Sequence, residues 1–365
     1  MNYNNVIRFK QTKYKKKVVI EMNEKQLKSR QNWELKLKIK KSIRTIEEFY
    51  VRTGGECYIS TSGADSCVLD WLASQTWCND KIERVSVAGA ENRNNIKHLF
   101  LRGDTLLKCE ADKKEIITKY GYPLISKSVA MTISRYTRTK SEEQKQIRLN
   151  GYVGRNGKII KDGAIPKKYQ EFIYAPFEFS EKCCDMFKKK PLKKYEKKTN
   201  KKPITGERAE ESRNRKKEYL KHGCIMSEKQ REKSTPLGFW TEQDIKRCIF
   251  ENNISIPKDY GTVVSIDDKI FEFTGENRTG CNICGFGLLF DLNRLDRLKK
   301  NYPKEYDYML NGGQWIEKDL YRWVKFRPNS LPIWSNKYWV PNEKGYGYRR
   351  CLQYLFSVLG IEKEL

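Results

Sequence analysis

CYISTSGADSCVLDWLASQTW, residues 57–77, decides the fold. Cys57–Ser60 reads as a short buried strand, Thr61–Ser66 as a turn of small residues, and Cys67–Trp77 as an amphipathic helix. IERVSVAG (82–89) follows as a second strand, with a helical stretch from Asn94. A strand, a tight turn, a helix and a second strand make the βαβ unit of a parallel sheet. The turn also suits an anion. Small residues let the backbone approach, and the N–H groups that open a helix face outward with the favourable end of its dipole. Ser60, Thr61, Ser62, Gly63, Ala64, Asp65 and Ser66 are therefore the candidate phosphate loop. The lysine of a Walker A loop is missing. A small polar turn before a helix is also common in proteins that bind nothing there.

Outward from this unit, PITG (203–206) reads as another strand, ending at Gly206. Arg208 follows at the strand's carboxyl end, where open α/β sheets bind ligands. It suits two-point contact with a phosphate, or equally the charged first turn of a helix. TEQDIKRCIFENN (241–253) carries a helix-opening Thr241 with Asp244 three residues on. KKEIITKYG (113–121) predicts a helix stopped by Gly121, and the Gly- and Lys-rich 151–168 predict an exposed loop or hairpin. A low-specificity helix is expected within 23–44, from Leu27, Trp33, Leu35, Leu37 and Ile39. Residues 1–44 carry 14 Lys and Arg against three acids. The chain divides into a basic arm (1–46), a nucleotide-binding domain (47–290) and a basic, aromatic C-terminal extension (291–365).

The most specific chemistry lies in the cysteines. Cys183 and Cys184 are adjacent, and Cys281 and Cys284 form a C-x-x-C. Four thiols in two pairs can hold an iron–sulfur cluster or zinc, and spacing does not choose between them. A turn or helix end is needed to aim adjacent cysteines at one centre. Lys182, Lys188, Lys189 and Lys190 beside the first pair favour the thiolate. Cys224 is a spare thiol with either a chemical or a packing role. Cys57, Cys67, Cys78, Cys109 and Cys248 fall inside apparent elements and are expected in the core. The odd total of 11 cysteines, with no apolar leader, points to a reducing cytoplasm. His98 and His222 are the only histidines, which nearly excludes histidine-based metal sites.

Composition limits the partners. The 73 Lys+Arg against 46 Asp+Glu give a formal +27, which favours a polyanion such as tRNA or DNA. A lysine-biased composition gives the same excess with no partner. No apolar run approaches the roughly 18 residues of a membrane span. The 38% hydrophobic content argues against wholesale disorder.

Taken together, STSGADSCVLDWLA, KCCDMFKKKPLKKYEKK, ITGERAEESRNR, PLGFWTEQDI and TGCNIC resemble the sulfonucleotide (APS/PAPS) reductase family. That family belongs to the ATP-pyrophosphatase-like adenine nucleotide α-hydrolase superfamily. The likeness spans roughly residues 50–290 and looks like the iron–sulfur branch, close to DNA phosphorothioation-type sulfurtransferases. It implies a five-stranded parallel sheet flanked by helices and an adenine nucleotide, ATP or APS/PAPS, in the crevice at the strand ends. It further implies a [4Fe–4S] cluster on Cys183, Cys184, Cys281 and Cys284, with Ser62–Ser66 as phosphate loop and Arg208 as the family's G-x-R arginine. Three departures stand out. The reductases' C-terminal Glu-Cys-Gly is replaced by a tail around Cys351. The pyrophosphatase loop lysine is absent, with Ala64 nearby. Ala88-Gly89-Ala90-Glu91 stands where relatives carry Asp-Thr-Gly.

The leading expectation is an enzyme that activates or transfers sulfur onto a nucleic acid. Arg208 and Asp65 would be catalytic, Gly89, Glu91 and Gly206 would line the nucleotide, and Asp65 or Glu91 would help hold Mg²⁺. A cysteine desulfurase or thioredoxin would be the donor. The second reading is a sulfonucleotide reductase releasing sulfite, with Cys224 or Cys351 as nucleophile. The third is a catalytically degenerate nucleic-acid-binding relative. In it the C-terminal aromatics stack on bases, although a subdomain core explains them equally.

Overall fold

The computed structural model describes residues 22–228, 231–267, 269–278, 281, 284–325 and 331–365. Its centre is a six-stranded sheet among those residues, in the order Thr105–Leu107, Glu83–Val87, Cys57–Ser60, Lys202–Thr205, Arg231–Ser234, Ile225–Glu228. The first five strands are parallel. They match the expected sheet. The sixth is an antiparallel edge. Only two residues separate Ile225–Glu228 from Arg231–Ser234, and so short a connection permits a hairpin but no parallel crossover.

Cys57, Tyr58 and Ile59 are fully buried. A strand covered on both faces reads as a continuous apolar run rather than an alternating one. From this central strand the chain winds outward through Glu83–Val87 to Thr105–Leu107, then crosses to Lys202–Thr205 on the other side. The winding direction thus reverses between Ser60 and Thr205. The crevice beyond those two carboxyl ends is where such sheets bind ligands.

The helix opening at the loop, Ala64–Ser74, buries Val68, Leu69, Leu72 and Ala73. Glu242–Glu251 packs against it, started by the Thr241–Asp244 capping box expected from sequence. Lys113–Tyr120 ends at Gly121, whose φ of 108° only glycine adopts readily. The loop at 151–168 folds as a two-stranded hairpin.

The basic arm differs from its expected form. It makes two helices, Glu24–Gln31 and Leu35–Arg52. The second buries Leu35, Lys38, Ser42, Thr45, Ile46 and Phe49, while Leu37 faces solvent. Leu27 and Leu35 are buried and Trp33 and Ile39 pack against the core, but the inward stripe also includes small polar residues and a lysine that apolar spacing does not mark. Ser42 Oγ accepts from Trp240 Nε1 at 3.0 Å and donates to the Pro236 carbonyl at 2.8 Å. Lys38 Nζ pairs with Asp244 at 2.6 Å and donates to the Gln31 carbonyl at 2.6 Å. Residues 1–21 lie outside the described residues.

Two cores result. One gathers Leu35, Ile46 and Phe49 with the sheet's Cys57 and Ile204 and with Phe239, Trp240 and Ile249. The other joins Tyr122–Phe179 from the middle of the chain to the C-terminal Tyr306, Met309, Tyr348, Leu352 and Phe356. The C-terminal extension therefore shares its core with an earlier segment. Its long ribbon, Gln314–Val324 against Ile333–Val340, sets Trp315 edge-on to Trp339 and Trp323 at a tilt against Trp334. Cys57, Cys67, Cys78 and Cys248 are buried, while Cys109 is half-buried. Among the described residues no helix is long and apolar enough to cross a membrane.

Candidate functional site

The crevice is built from both sheet halves. Ser60 ends the central strand beside Val85 and Thr205. Thr61 then turns inward, its hydroxyl bonded to Asp104 and to the Val85 carbonyl, so it anchors the loop from beneath. The next residues form the cradle. Ser62 N–H donates to Ser66 Oγ at 2.7 Å, and Ala64 N–H donates to Tyr260 Oη at 3.1 Å. Two hydroxyl oxygens thus sit where outward-facing amides would meet phosphate oxygens. Gly206 closes the gap from the other strand. A Cβ there would stand 3.2 Å from the Asp65 carbonyl. That approach brings Arg208 to Asp65, with Nε to Oδ1 at 2.8 Å, and Arg208 Nη1 reaches Glu210 at 3.0 Å. Arg208 is buried, and its backbone N–H is held by Glu211 at 2.9 Å. Its guanidinium is fixed before any ligand arrives.

Glu91 occupies the end of the second strand. Its Oε1 accepts from Ser62 Oγ at 2.7 Å and from Lys188 Nζ at 2.9 Å, and its Oε2 accepts from Asn95 at 2.7 Å. Burial alone would lower the Lys188 ammonium, but the Glu91 carboxylate raises it above its ordinary value. Gly89 lets this turn lie against the cysteine segment, since a Cβ there would come within 2.8 Å of the Cys109 Cβ and 3.5 Å of the Phe187 ring.

Cys183 and Cys184 lie in one helical turn that runs directly into a π-helical turn, Asp185–Lys189. Such wide turns recur at functional sites. Here the turn carries Lys188 toward Glu91. Cys281 and Cys284 are joined by a Cys284 N–H to Cys281 carbonyl bond of 2.9 Å. The thiols of Cys184, Cys281 and Cys284 all act electrostatically on Cys183. Its burial is the main cause raising it above the usual thiol range, and the other thiols add to it. Burial likewise raises Cys284, to about 11. Among the described residues no three His, Cys, Asp or Glu side chains gather tightly enough to hold one metal ion. The four thiols are linked only through their electrostatic action on one another. Cations surround them. Lys113 Nζ lies 3.5 Å from Cys281 Sγ, Arg294 donates to the Cys281 carbonyl at 3.1 Å, and Lys188 is within electrostatic range of Cys281 and Cys184.

The remaining sulfur candidates stand apart. Cys224 contacts Tyr219 Oη at 3.9 Å, and burial raises its thiol. Cys351 is fully buried in the C-terminal helix, with its thiol raised well above the ordinary range. Sequence reading missed Tyr260, Asn95, Lys113, Arg294 and the particular role of Lys188. The first four carry no local motif. Only Lys188 stood in a noticed cluster.

A doubly wound α/β sheet with a small-residue loop and a fixed arginine at its reversal point defines a class whose ligand crevice lies there. The particular family follows from comparison. The phosphoadenosine phosphosulfate reductase domain model matches residues 56–262, and the chain belongs to that family of sulfonucleotide and sulfur chemistry. A crystal structure of phosphoadenylyl-sulfate (PAPS) reductase from Candida auris, a phosphate complex, aligns with 69% of this chain and 100% of its own. Identity is 13% and the TM-score 0.34. No curated protein matches the chain.

Proposed function

We propose that the chain activates and transfers sulfur onto a nucleic acid, with an adenine nucleotide in the crevice and a [4Fe–4S] cluster on Cys183, Cys184, Cys281 and Cys284. The observation that carries this reading is the Ser62–Glu91–Lys188 chain of bonds. It joins the phosphate loop to a cation that also acts on the cysteine ring. A nucleotide bound at one end and sulfur chemistry at the other would then share one electrostatic connection.

Thiolates are the donors that such a cluster takes. Three of the thiols act electrostatically on Cys183, Lys113 and Arg294 bond to Cys281, Lys188 acts on Cys281 and Cys184, and cations favour the thiolates that iron requires. A four-iron cluster takes one thiolate per iron, so it accepts a wider ring than a single zinc ion. Bound there, the cluster would supply the sulfur-handling chemistry. The chain's own residues would do the rest. Backbone amides of 62–66 would take phosphate oxygens in place of the Ser66 and Tyr260 hydroxyls. Arg208 would grip a phosphate while keeping Asp65 oriented. Asp65 and Glu91, the candidate Mg²⁺ ligands, each hold a cation now, and Mg²⁺ would have to share or replace it. The formal +27 favours tRNA or DNA as acceptor. Sulfite release by a reductase needs an accessible thiolate, and the burial of Cys224 and Cys351 weighs against that reading.

The test is anaerobic purification with iron and sulfide analysis, followed by incubation with ATP, APS or PAPS, a thiol-sulfur donor and tRNA or DNA. Nucleotide-dependent sulfur in the nucleic acid, read by mass spectrometry, supports the proposal. Sulfite from APS or PAPS without nucleic-acid thiolation would overturn it.

A further inference from the structure

The helix Lys190–Thr199 follows the π-helical turn Asp185–Lys189 without a break and leads back to the strand Lys202–Thr205. Its inner side is fastened to the sheet. Tyr195 stands edge-on to Tyr58 with ring centroids 5.2 Å apart, and its hydroxyl donates to Glu83. Glu196 accepts from Tyr58 Oη at 2.8 Å. The outer side carries lysine alone. Lys190, Lys193, Lys194, Lys197 and Lys198 are exposed, while Leu192, Tyr195 and Thr199 are half-buried. Spacings of three and four residues put all five lysines on one stripe.

Elsewhere the helices answer their own cations. Arg215 pairs with Glu211, Lys216 with Glu24, Lys246 with Glu242 and Arg247 with Glu251. Here Lys194 pairs with Glu110, but among the described residues Lys190, Lys193, Lys197 and Lys198 form no ion pair. Like charges three and four residues apart repel and weaken a helix, so an external anion would relieve this face. A helix lying in a membrane surface would turn apolar side chains outward, and this stripe has none. It runs about 12 Å from Lys190 to Lys198. A nucleic-acid duplex carries about seven charges over that length, one per about 1.7 Å. The stripe begins just past Lys188, whose Nζ donates to Glu91 at 2.9 Å at the crevice.

We propose that Lys190, Lys193, Lys197 and Lys198 track the phosphate backbone of the acceptor nucleic acid and lead it toward the crevice beside Glu91. This deepens the reading above, on whose nucleic-acid acceptor it rests, and it needs no cluster. A second cationic helix provides the control. Lys36, Lys40 and Arg44 are exposed on Leu35–Arg52. Tyr58 meets Tyr195, whereas its neighbours Cys57 and Ile59 share a core with Ile46 and Phe49 of that helix. Successive strand side chains point to opposite faces, so the two cationic helices lie on opposite sides of the sheet.

Four full-length chains test this. They are the unaltered protein, the stripe triple Lys193→Gln, Lys197→Gln, Lys198→Gln, the same positions as Lys193→Arg, Lys197→Arg, Lys198→Arg, and the control triple Lys36→Gln, Lys40→Gln, Arg44→Gln. Both glutamine triples remove the same charge. The readouts are anisotropy of labelled duplex DNA and tRNA over a salt series, sedimentation with phosphatidylserine vesicles, and melting. The stripe triple loses roughly 100-fold in affinity near 0.1 M salt, and its slope of log K against log salt falls by about two to three. It melts no lower than the unaltered chain, because it sheds like-charge repulsion. The arginine triple binds as the unaltered chain does. The control triple stays within about threefold, since distant exposed charges are screened. Equal losses in the two glutamine triples mean that net charge alone binds, and they overturn the inference while the acceptor reading stands. Undiminished DNA and tRNA binding by the stripe triple does the same, as does a loss confined to the vesicles. A stripe triple that melts several degrees lower also overturns it, since the lysines then serve the fold. An unaltered chain that binds neither DNA nor tRNA overturns the acceptor reading and this inference together.

Discussion

The crevice at the strand ends and the cysteine segments, joined through Lys188, have opposite electrostatic plans. In the crevice the principal charged groups already have partners. Arg208 holds Asp65 and Glu210, and Glu91 holds Ser62, Asn95 and Lys188. Around the cysteines, Lys113 approaches the Cys281 sulfur, burial raises the Cys183 thiol, and among the described residues the buried Tyr348 hydroxyl has no hydrogen-bond partner. A site that is complete without its ligand can hold its shape while ligands exchange. A site with unsatisfied groups gains most of its definition from what it binds. The first suits a nucleotide that comes and goes, the second a resident cofactor. Substitutions should separate the two regions cleanly.

The largest effect is expected at the ring. Cys183→Ser removes the most buried of the four thiols, and bound iron and visible absorbance should fall to background. The crevice does not depend on that thiol, so nucleotide affinity by calorimetry should change less than about threefold, under 1 kcal/mol. A collapse of both would mean that the regions fold as one unit.

Arg208→Ala is the mirror experiment. It removes charge-assisted bonds and leaves Asp65 and Glu210 facing each other across the crevice. Such bonds contribute about 1.5–3 kcal/mol, so the nucleotide Kd should rise roughly 10- to 100-fold. Iron content should stay as in the unaltered chain. Loss of iron in this variant would show that the arginine supports the ring as well.

How far these regions were legible in sequence follows the same contrast. The crevice rests on local grammar. A strand, a small-residue turn and a helix are contiguous at 57–74, so the parallel sheet and the turn at the end of its central strand could be read directly. The antiparallel edge could not, because Ile225–Glu228 and Arg231–Ser234 carry charged residues and only their two-residue separation fixes their direction. At the ring the four cysteines were conspicuous, but Lys113 and Arg294 come from two distant elements. Their convergence depends on a core shared by the middle and the end of the chain. The polar members of the buried stripe of Leu35–Arg52 were hidden for a related reason. Lys38 and Ser42 face inward because Asp244 and Trp240 supply partners that sequence periodicity does not reveal.

Lys188→Met acts on the connection between the regions. It should leave iron content and nucleotide affinity within about threefold while lowering turnover roughly tenfold, near 1.4 kcal/mol in the barrier. The same pair has a pH signature. Lys188 is raised above its ordinary 10.5 by Glu91, so its contribution to stability is fully present below that pH. It is lost as pH rises through the folded-state value. Melting scans above pH 10 should therefore fall more steeply for the unaltered chain than for Lys188→Met. Parallel curves would mean that the ion pair contributes nothing to folding.

The smallest effect is expected from the two thiols that belong to neither region. Cys224 lies beside Tyr219, and Cys351 lies inside the C-terminal core. Burial keeps both protonated near neutral pH, and a protonated thiol is a poor nucleophile. The double substitution Cys224→Ala, Cys351→Ala should therefore change turnover less than twofold. The cavity left by the Cys351 sulfur should lower stability by about 1 kcal/mol, seen as a modest drop in Tm. The two readouts matter together. A melting shift without a rate change marks packing residues, whereas a tenfold rate loss confined to Cys224→Ala would make that thiol a participant. In that case the crevice would have to open toward Tyr219 during turnover, and the division between a pre-formed nucleotide site and a sulfur-handling ring would no longer describe the chemistry.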